Sequence, residues 1–151
     1  MTEAHRCCFV LWGEQCDEAA AALFVTLLRA AGVRVWVVGI SGKRSRGAHG
    51  LHLLPDLALD EALPLAPNAL CVAIPCSAQA LTHFLHDPRL RTFLQHAAQR
   101  AIPLFLATAA SGEVDSLSAV VGSAIIQYYP AGDALLPFVR DVAAQLSAQL
   151  P

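Results

Sequence analysis

Short apolar runs alternate along this chain with longer stretches in which apolar residues recur at helical spacing. Cys7 to Trp12 (CCFVLW) is rich in strand formers and reads as the first, central strand. Gly13 to Asp17 is a turn, with Asp17 placed to cap a helix. That helix covers residues 18–31, with Leu23, Leu27 and Ala30 on one side and Gly32 ending it. Val33 to Ile40 (VRVWVVGI) is a second strand, and its β-branched density predicts burial on both faces. Ser41 to Gly50 reads as a loop, and Leu51 to Leu54 as a short strand stopped by Pro55-Asp56. Residues 60–63 make at most one helical turn before Pro64, Pro67 and Asn68 lead into a strand over 69–74. Ser77 caps a helix over 79–85, and Asp87-Pro88 starts another over 88–100, with proline at its first position. A strand over 102–107, a turn over 108–112, a helix over 113–121 and a strand over 123–129 follow. The closing helix, 134–150, aligns Leu135, Phe138, Val142 and Leu146 on one face.

Strands alternating with helices predict a mainly parallel sheet with right-handed crossovers and helices on both faces. The expected fold is a flavodoxin-like three-layer α/β/α sandwich, and 151 residues fit one such domain. In open sheets of this kind ligands bind in the crevice at the C-terminal ends of the strands. Ile74-Pro75-Cys76-Ser77, where a buried strand runs into a helix, is the first place to look for a site.

Composition narrows the partners. The hydrophobic fraction is 56 %, yet no apolar run reaches the ~18–20 residues that a membrane span needs. Glu3, Arg6 and Glu14 interrupt any signal-peptide pattern, so the expected setting is soluble and cytoplasmic. Ten Lys+Arg and a net charge of -2 argue against nucleic acid. Only 15 % of residues are charged, so an apolar patch buried in a homodimer is expected. The five cysteines, Cys7, Cys8, Cys16, Cys71 and Cys76, are odd in number and contain no CxxC, which argues against a disulfide framework and a zinc site. His83 and His86 are three apart with His96 distant, which offers no metal set, and no cofactor is expected. Arg44 and Arg46 read as solvated loop charges able to attract an anion.

One run is more particular. Arg29-Ala30-Ala31-Gly32, then Val37-Val38-Gly39-Ile40-Ser41-Gly42-Lys43, then Gly47-Ala48-His49-Gly50-Leu51, Leu54-Pro55-Asp56 and Leu59-Asp60-Glu61-Ala62 stand in this order. The series resembles the DJ-1/PfpI (ThiJ) family, in which a helix ending in RRAG leads into VxVxGLxGK and then GxxGxxxxPDxxLxEA. The similarity covers roughly residues 7 to 148 and is clearest from Gly32 to Ala62.

The resemblance implies three functional parts. The first is a glutamate after the first strand; counting from Gly13 puts Glu18 there, and counting back from Gly32 puts Ala20 there. The second is a nucleophilic cysteine on the turn after the strand at 102–107. That position falls on Thr108, or on Ala107 with a slip, and Ala109-Ala110-Ser111 follow it. No cysteine occurs after Cys76, and no histidine beyond His96 is there to activate a threonine. The third is a Pro-Gly-Gly turn, here Pro75-Cys76-Ser77, which puts Cys76 where the family has a pocket-lining glycine. Cys76 is then either a relocated thiol or a small buried residue without a role. In this fold Cys16 and Cys76 could approach each other, which would allow a redox pair. His49 falls where a loop side chain reaches a dimer partner's pocket, and Ser77 and Ala109 line the same site.

Three functions follow as expectations. The leading one is a divergent, non-catalytic DJ-1/PfpI-like protein that binds a small molecule or serves a stress or regulatory role. Another is a cysteine-dependent enzyme of glyoxalase/deglycase, hydratase or amidase type, with Cys76 as nucleophile and Glu18 as its partner. The last is a flavodoxin-like module for a phosphate-bearing cofactor, against which stands the absence of a Gly-rich phosphate loop.

Overall fold

A computed structural model describes residues 5–42, 44–107, 114–122 and 124–151. Strand β1 (Cys7–Trp12) is buried at all six positions. Helix α1 (Glu18–Ala30) follows, capped by Asp17, whose carboxylate accepts the Ala19 and Ala20 N–H groups. Strand β2 (Val35–Gly39) comes next, and Trp36 alone in it is only half-buried. The chain then makes three two-residue strands, β3 (Ser45–Arg46), β4 (His52–Leu53) and β5 (Leu57–Ala58). Helix α2 (Leu59–Ala62) and a 3-10 stretch (Leu63–Asn68) lead to β6 (Ala69–Ile74), again buried throughout. Then come α3 (Ala78–Phe84), α4 (Pro88–Ala97), β7 (Pro103–Ala107), α5 (Val114–Val121), β8 (Ile125–Tyr129) and α6 (Leu135–Ser147).

The main sheet has six strands in the order β5-β2-β1-β6-β7-β8, and every pairing in it is parallel. Helices α1 and α6 pack together on one face; α2, the 3-10 stretch, α4 and α5 pack on the other. This is the expected three-layer sandwich. Two parts differ from the sequence reading. Residues 41–50 are not simply a loop, because β3 folds back antiparallel onto β4, with Ser45 opposite Leu53. Strand β5 adds an unexpected edge beside β2. Two-residue strands carry no period along the sequence, so their partners alone define them.

The core lies on both faces of β1, β6 and β7. Phe9 meets Phe93 edge-on at 5.1 Å on the α4 side. On the other side Phe24 meets Phe105 at 5.5 Å and Tyr129 at 5.6 Å, and Phe105 meets Phe138 at 5.9 Å. Phe93 is fully buried. Phe93→Ala is therefore expected to cost about 3–5 kcal/mol in urea unfolding; a loss under about 1 kcal/mol would mean that α4 is not packed on β1 as described.

Candidate functional site

Strands β1 and β6 are neighbours, but the sheet order runs outward from them in opposite directions, to β2 on one side and to β7 on the other. Their C-terminal ends mark the switch point at which α/β folds open a crevice. Here that crevice is bridged. Cys16, on the turn after β1, is joined by a disulfide to Cys76, on the turn after β6, with their Cα atoms 4.3 Å apart. Backbone bonds repeat the tie: the Asp17 N–H donates to Pro75 O at 2.6 Å, and residues 16 and 76 form an isolated antiparallel bridge. Cys16 is fully buried and Cys76 nearly so. Of the two readings of Cys76 left open by the sequence, the structure adds a specific partner: it is bonded to Cys16.

The turn holding Cys16 is sharply bent. Gln15 has φ 64°, the left-handed region that costs a non-glycine residue of order 1–3 kcal/mol. Its surroundings hold it there: Gln15 N–H donates to Arg46 O at 2.9 Å, and Cys16 N–H donates to Gly13 O at 3.2 Å. Phe84 of α3 lies against Gly13, where a Cβ would sit 2.7 Å from the ring's Cζ.

Glu18 is also buried, and its carboxylate faces the β3–β4 hairpin. It accepts the His49 N–H at 2.8 Å and the Leu51 N–H at 3.1 Å, and His49 Nδ1 lies 3.2 Å from Oε1. Gly47 makes this approach available, because a Cβ there would overlap the Glu18 carboxyl group. The rest of the hairpin is docked on the same turn. Ala48 N–H donates to Cys16 O at 2.9 Å, Arg46 N–H to Glu14 Oε1 at 3.1 Å, and Trp12 Nε1 to Ser45 O at 3.3 Å. Burial alone would raise the Glu18 pKa. The N–H groups of Leu51, Glu18 itself and His49, with the His49 ring, outweigh it and hold the acid at about 2. Glu18 is thus an anchor that is ionised at neutral pH, where it is a poor proton donor.

The other candidates are placed as follows. Ser77 caps α3, its hydroxyl accepting the Ala80 N–H at 3.2 Å, and it lines an open groove of about 460 Å³. Glu14 and Gln15 form one wall of that groove, and Gln79, His83 and Phe84 the other. The His49 side chain is 83 % exposed, so that beyond its Nδ1 contact with Glu18 the ring faces solvent. Ala20 is buried in α1. Thr108 and Ala109 lie outside the described residues. Ala107, the alternative to Thr108, ends β7 and is partly buried. Cys7, Cys8 and Cys71 are free thiols buried in strands. Burial and the neighbouring Cys8 push Cys7 up to about 12; a hydrogen bond with Cys8, then burial, raises Cys71. None of the three is poised as a nucleophile. Among the described residues no group of three or more His, Cys, Asp or Glu side chains is placed to hold a metal, and no helix is long and apolar enough to cross a membrane.

The sequence marks residues 47–51 through the family resemblance and names His49, but it does not show that the N–H groups of residues 49 and 51 hold Glu18, because backbone donors look the same in any loop. Glu14 and Gln15 were read only as turn residues.

Several solved structures share this architecture. A cysteine-to-alanine mutant of a DJ-1 superfamily protein from Salmonella typhimurium superposes with a TM-score of 0.66 at 20 % identity, covering 95 % of this chain and 89 % of its own. The chain has the DJ-1/PfpI fold. Drosophila melanogaster DJ-1beta matches at a TM-score of 0.66 and 15 % identity, over 96 % of this chain and 90 % of its own. An oxidized DJ-1 from Toxoplasma gondii matches at 0.66 and 15 %, over 94 % and 96 %. No protein-family model matches the sequence, and neither does any curated protein. The DJ-1/PfpI likeness is therefore one of fold, and the chemistry must be argued from this chain's residues.

The Glu18 anchor has a pH signature. A carboxylate held at about 2 when folded, against its ordinary 4.5, adds stability that is complete above 4.5 and disappears as pH falls from 4.5 toward 2. Glu18→Gln should lower the urea midpoint at pH 6, and the gap to wild type should close toward pH 2. A gap that stays constant across that window would show that ionised Glu18 does not hold the hairpin.

Proposed function

We propose that this chain is a divergent DJ-1/PfpI protein that works as a redox-responsive binding protein rather than as a hydrolase, with Cys16 and Cys76 as its redox pair. One observation carries the reading: the bridge between the two turns flanking the crevice. The groove beside it takes one wall from the Cys16 turn and the other from the helix that follows Cys76. Making or breaking the bond frees or fixes those walls relative to each other. A small molecule in the groove thereby meets two different sites in the two redox states, and that difference is what couples binding to oxidation.

The chemistry is a two-electron exchange. Both thiols lose their protons and one electron each as the S–S bond forms, and an external disulfide such as oxidised glutathione takes them up as two thiols. In the cytoplasmic setting expected from the sequence, a bridge that cycles fits better than one that persists. Against a cysteine-dependent enzyme using Cys76 and Glu18 stands the pairing of both residues: Cys76 is bonded to Cys16 and Glu18 to the hairpin.

Equilibration in glutathione redox buffers, quenched with iodoacetamide, tests this. The pair should titrate reversibly in the folded protein as one two-electron couple, about 30 mV per tenfold change in ratio. Closing a loop across a separation of 60 residues, it should add about 2–4 kcal/mol to stability when oxidised. A bond that glutathione reduces only after unfolding would reduce it to a structural staple. Cys76-dependent consumption of methylglyoxal by the reduced protein would instead establish the enzyme.

A further inference from the structure

The opposite end of the sheet carries a different arrangement. Parallel strands start side by side, so the residues just before them gather at one edge. Arg34 precedes β2, Arg6 precedes β1, Asn68 precedes β6, and Arg100 stands shortly before β7. These are the four adjacent inner strands of the sheet. Their preceding residues line one cleft of about 620 Å³, within the size range of small-molecule sites, whose far wall is Leu150 and Pro151.

The charge there is mainly positive. Three of the chain's ten Lys+Arg converge on the cleft of a protein whose net charge is -2, no aspartate or glutamate side chain lines it, and the backbone carboxylate of Pro151 at the far wall is its one negative group. The three guanidinium groups have no ion pair among the described residues. Part of their charge answers the C-terminal carbonyls of α1, α4 and α6, which end at this edge. Each helix end counts for about half a negative charge and is screened at the surface, so together with the Pro151 carboxylate they leave the three guanidinium groups a small positive excess. Guanidinium groups match phosphate oxygens in pairs, and Asn68 adds an amide donor.

We propose that this cleft binds a small phosphorylated molecule through Arg6, Arg34, Arg100 and Asn68. The site lies at the end of the sheet away from Cys16 and Cys76 and does not depend on their redox role. The backbones of Arg34 and Arg100 serve the fold, their carbonyls accepting from Cys8 N–H and Ile102 N–H at 2.8 Å each. Their side chains are exposed, so truncating them spares the sheet.

Calorimetric titration of the whole protein with pyrophosphate tests the proposal, with inorganic phosphate as a second probe. Saturable binding is expected, tighter for pyrophosphate and weakening as salt is raised. Arg6→Ala, Arg34→Ala and Arg100→Ala should each weaken it about tenfold. Arg34→Lys, which keeps the charge but loses the paired donors, should weaken it too. Arg91→Ala, on the exposed side of α4, is the control and should leave it unchanged. Unfolding midpoints equal to wild type exclude misfolding as the cause. No saturable binding at millimolar pyrophosphate, or an equal loss in Arg91→Ala, would overturn the site.

Discussion

Strands β1 and β6 lie side by side, yet the chain continues from β1 to a neighbour on one side and from β6 to a neighbour on the other. The turns at their ends must part, and something must close or occupy the space between them. In this protein the closure is covalent and polar together. Cys16 is bonded to Cys76, Asp17 N–H reaches Pro75 O, and the β3–β4 hairpin is pinned alongside by buried Glu18. The left-handed Gln15, the glycine at 47 and the Phe84 ring on Gly13 are all consequences of bringing three segments this close. Without the tie, the strain at Gln15 and the burial of an ionised carboxylate would each be a net cost.

The same closure takes up both residues, Cys76 and Glu18, that a thiol chemistry at this crevice would use. A reactive cysteine wants exposure and a partner that stabilises its thiolate. Cys76 is buried and bonded to sulfur, while Glu18 spends its oxygens on backbone N–H groups. Ionised well below neutral pH, Glu18 has no proton to share with a thiol. On the function proposed above, the bond between Cys16 and Cys76 is one that is made and broken beside a groove.

Much of the fold was legible in the residues because it rests on local pattern. CCFVLW and ALCVAI read as buried strands and are buried at every position. Asp17, Ser77 and Asp87 cap the helices they precede. Strand β4 falls inside the short strand expected at 51–54, but its partner β3 and strand β5 were not legible, since pairs of two residues have no periodicity and exist only through their partners. The site was half legible. That Cys16 and Cys76 could approach each other was readable once the fold was assumed, whereas the donors to Glu18 come from backbone 31 and 33 residues away. Nothing in residues 47–51 marks them as donors. The three arginines were missed for a related reason: each is an ordinary charge before a strand, and only the strand order brings them together.

Differential alkylation of protein purified without reductant addresses the bridge most directly. Unfolding in the presence of one alkylating agent labels free thiols; reduction and a second agent then label those that were bonded. Cys7, Cys8 and Cys71 should carry the first label, and Cys16 and Cys76 the second. First-label modification of both Cys16 and Cys76, or a bond joining either of them to a strand cysteine, would contradict a closure built on this pair.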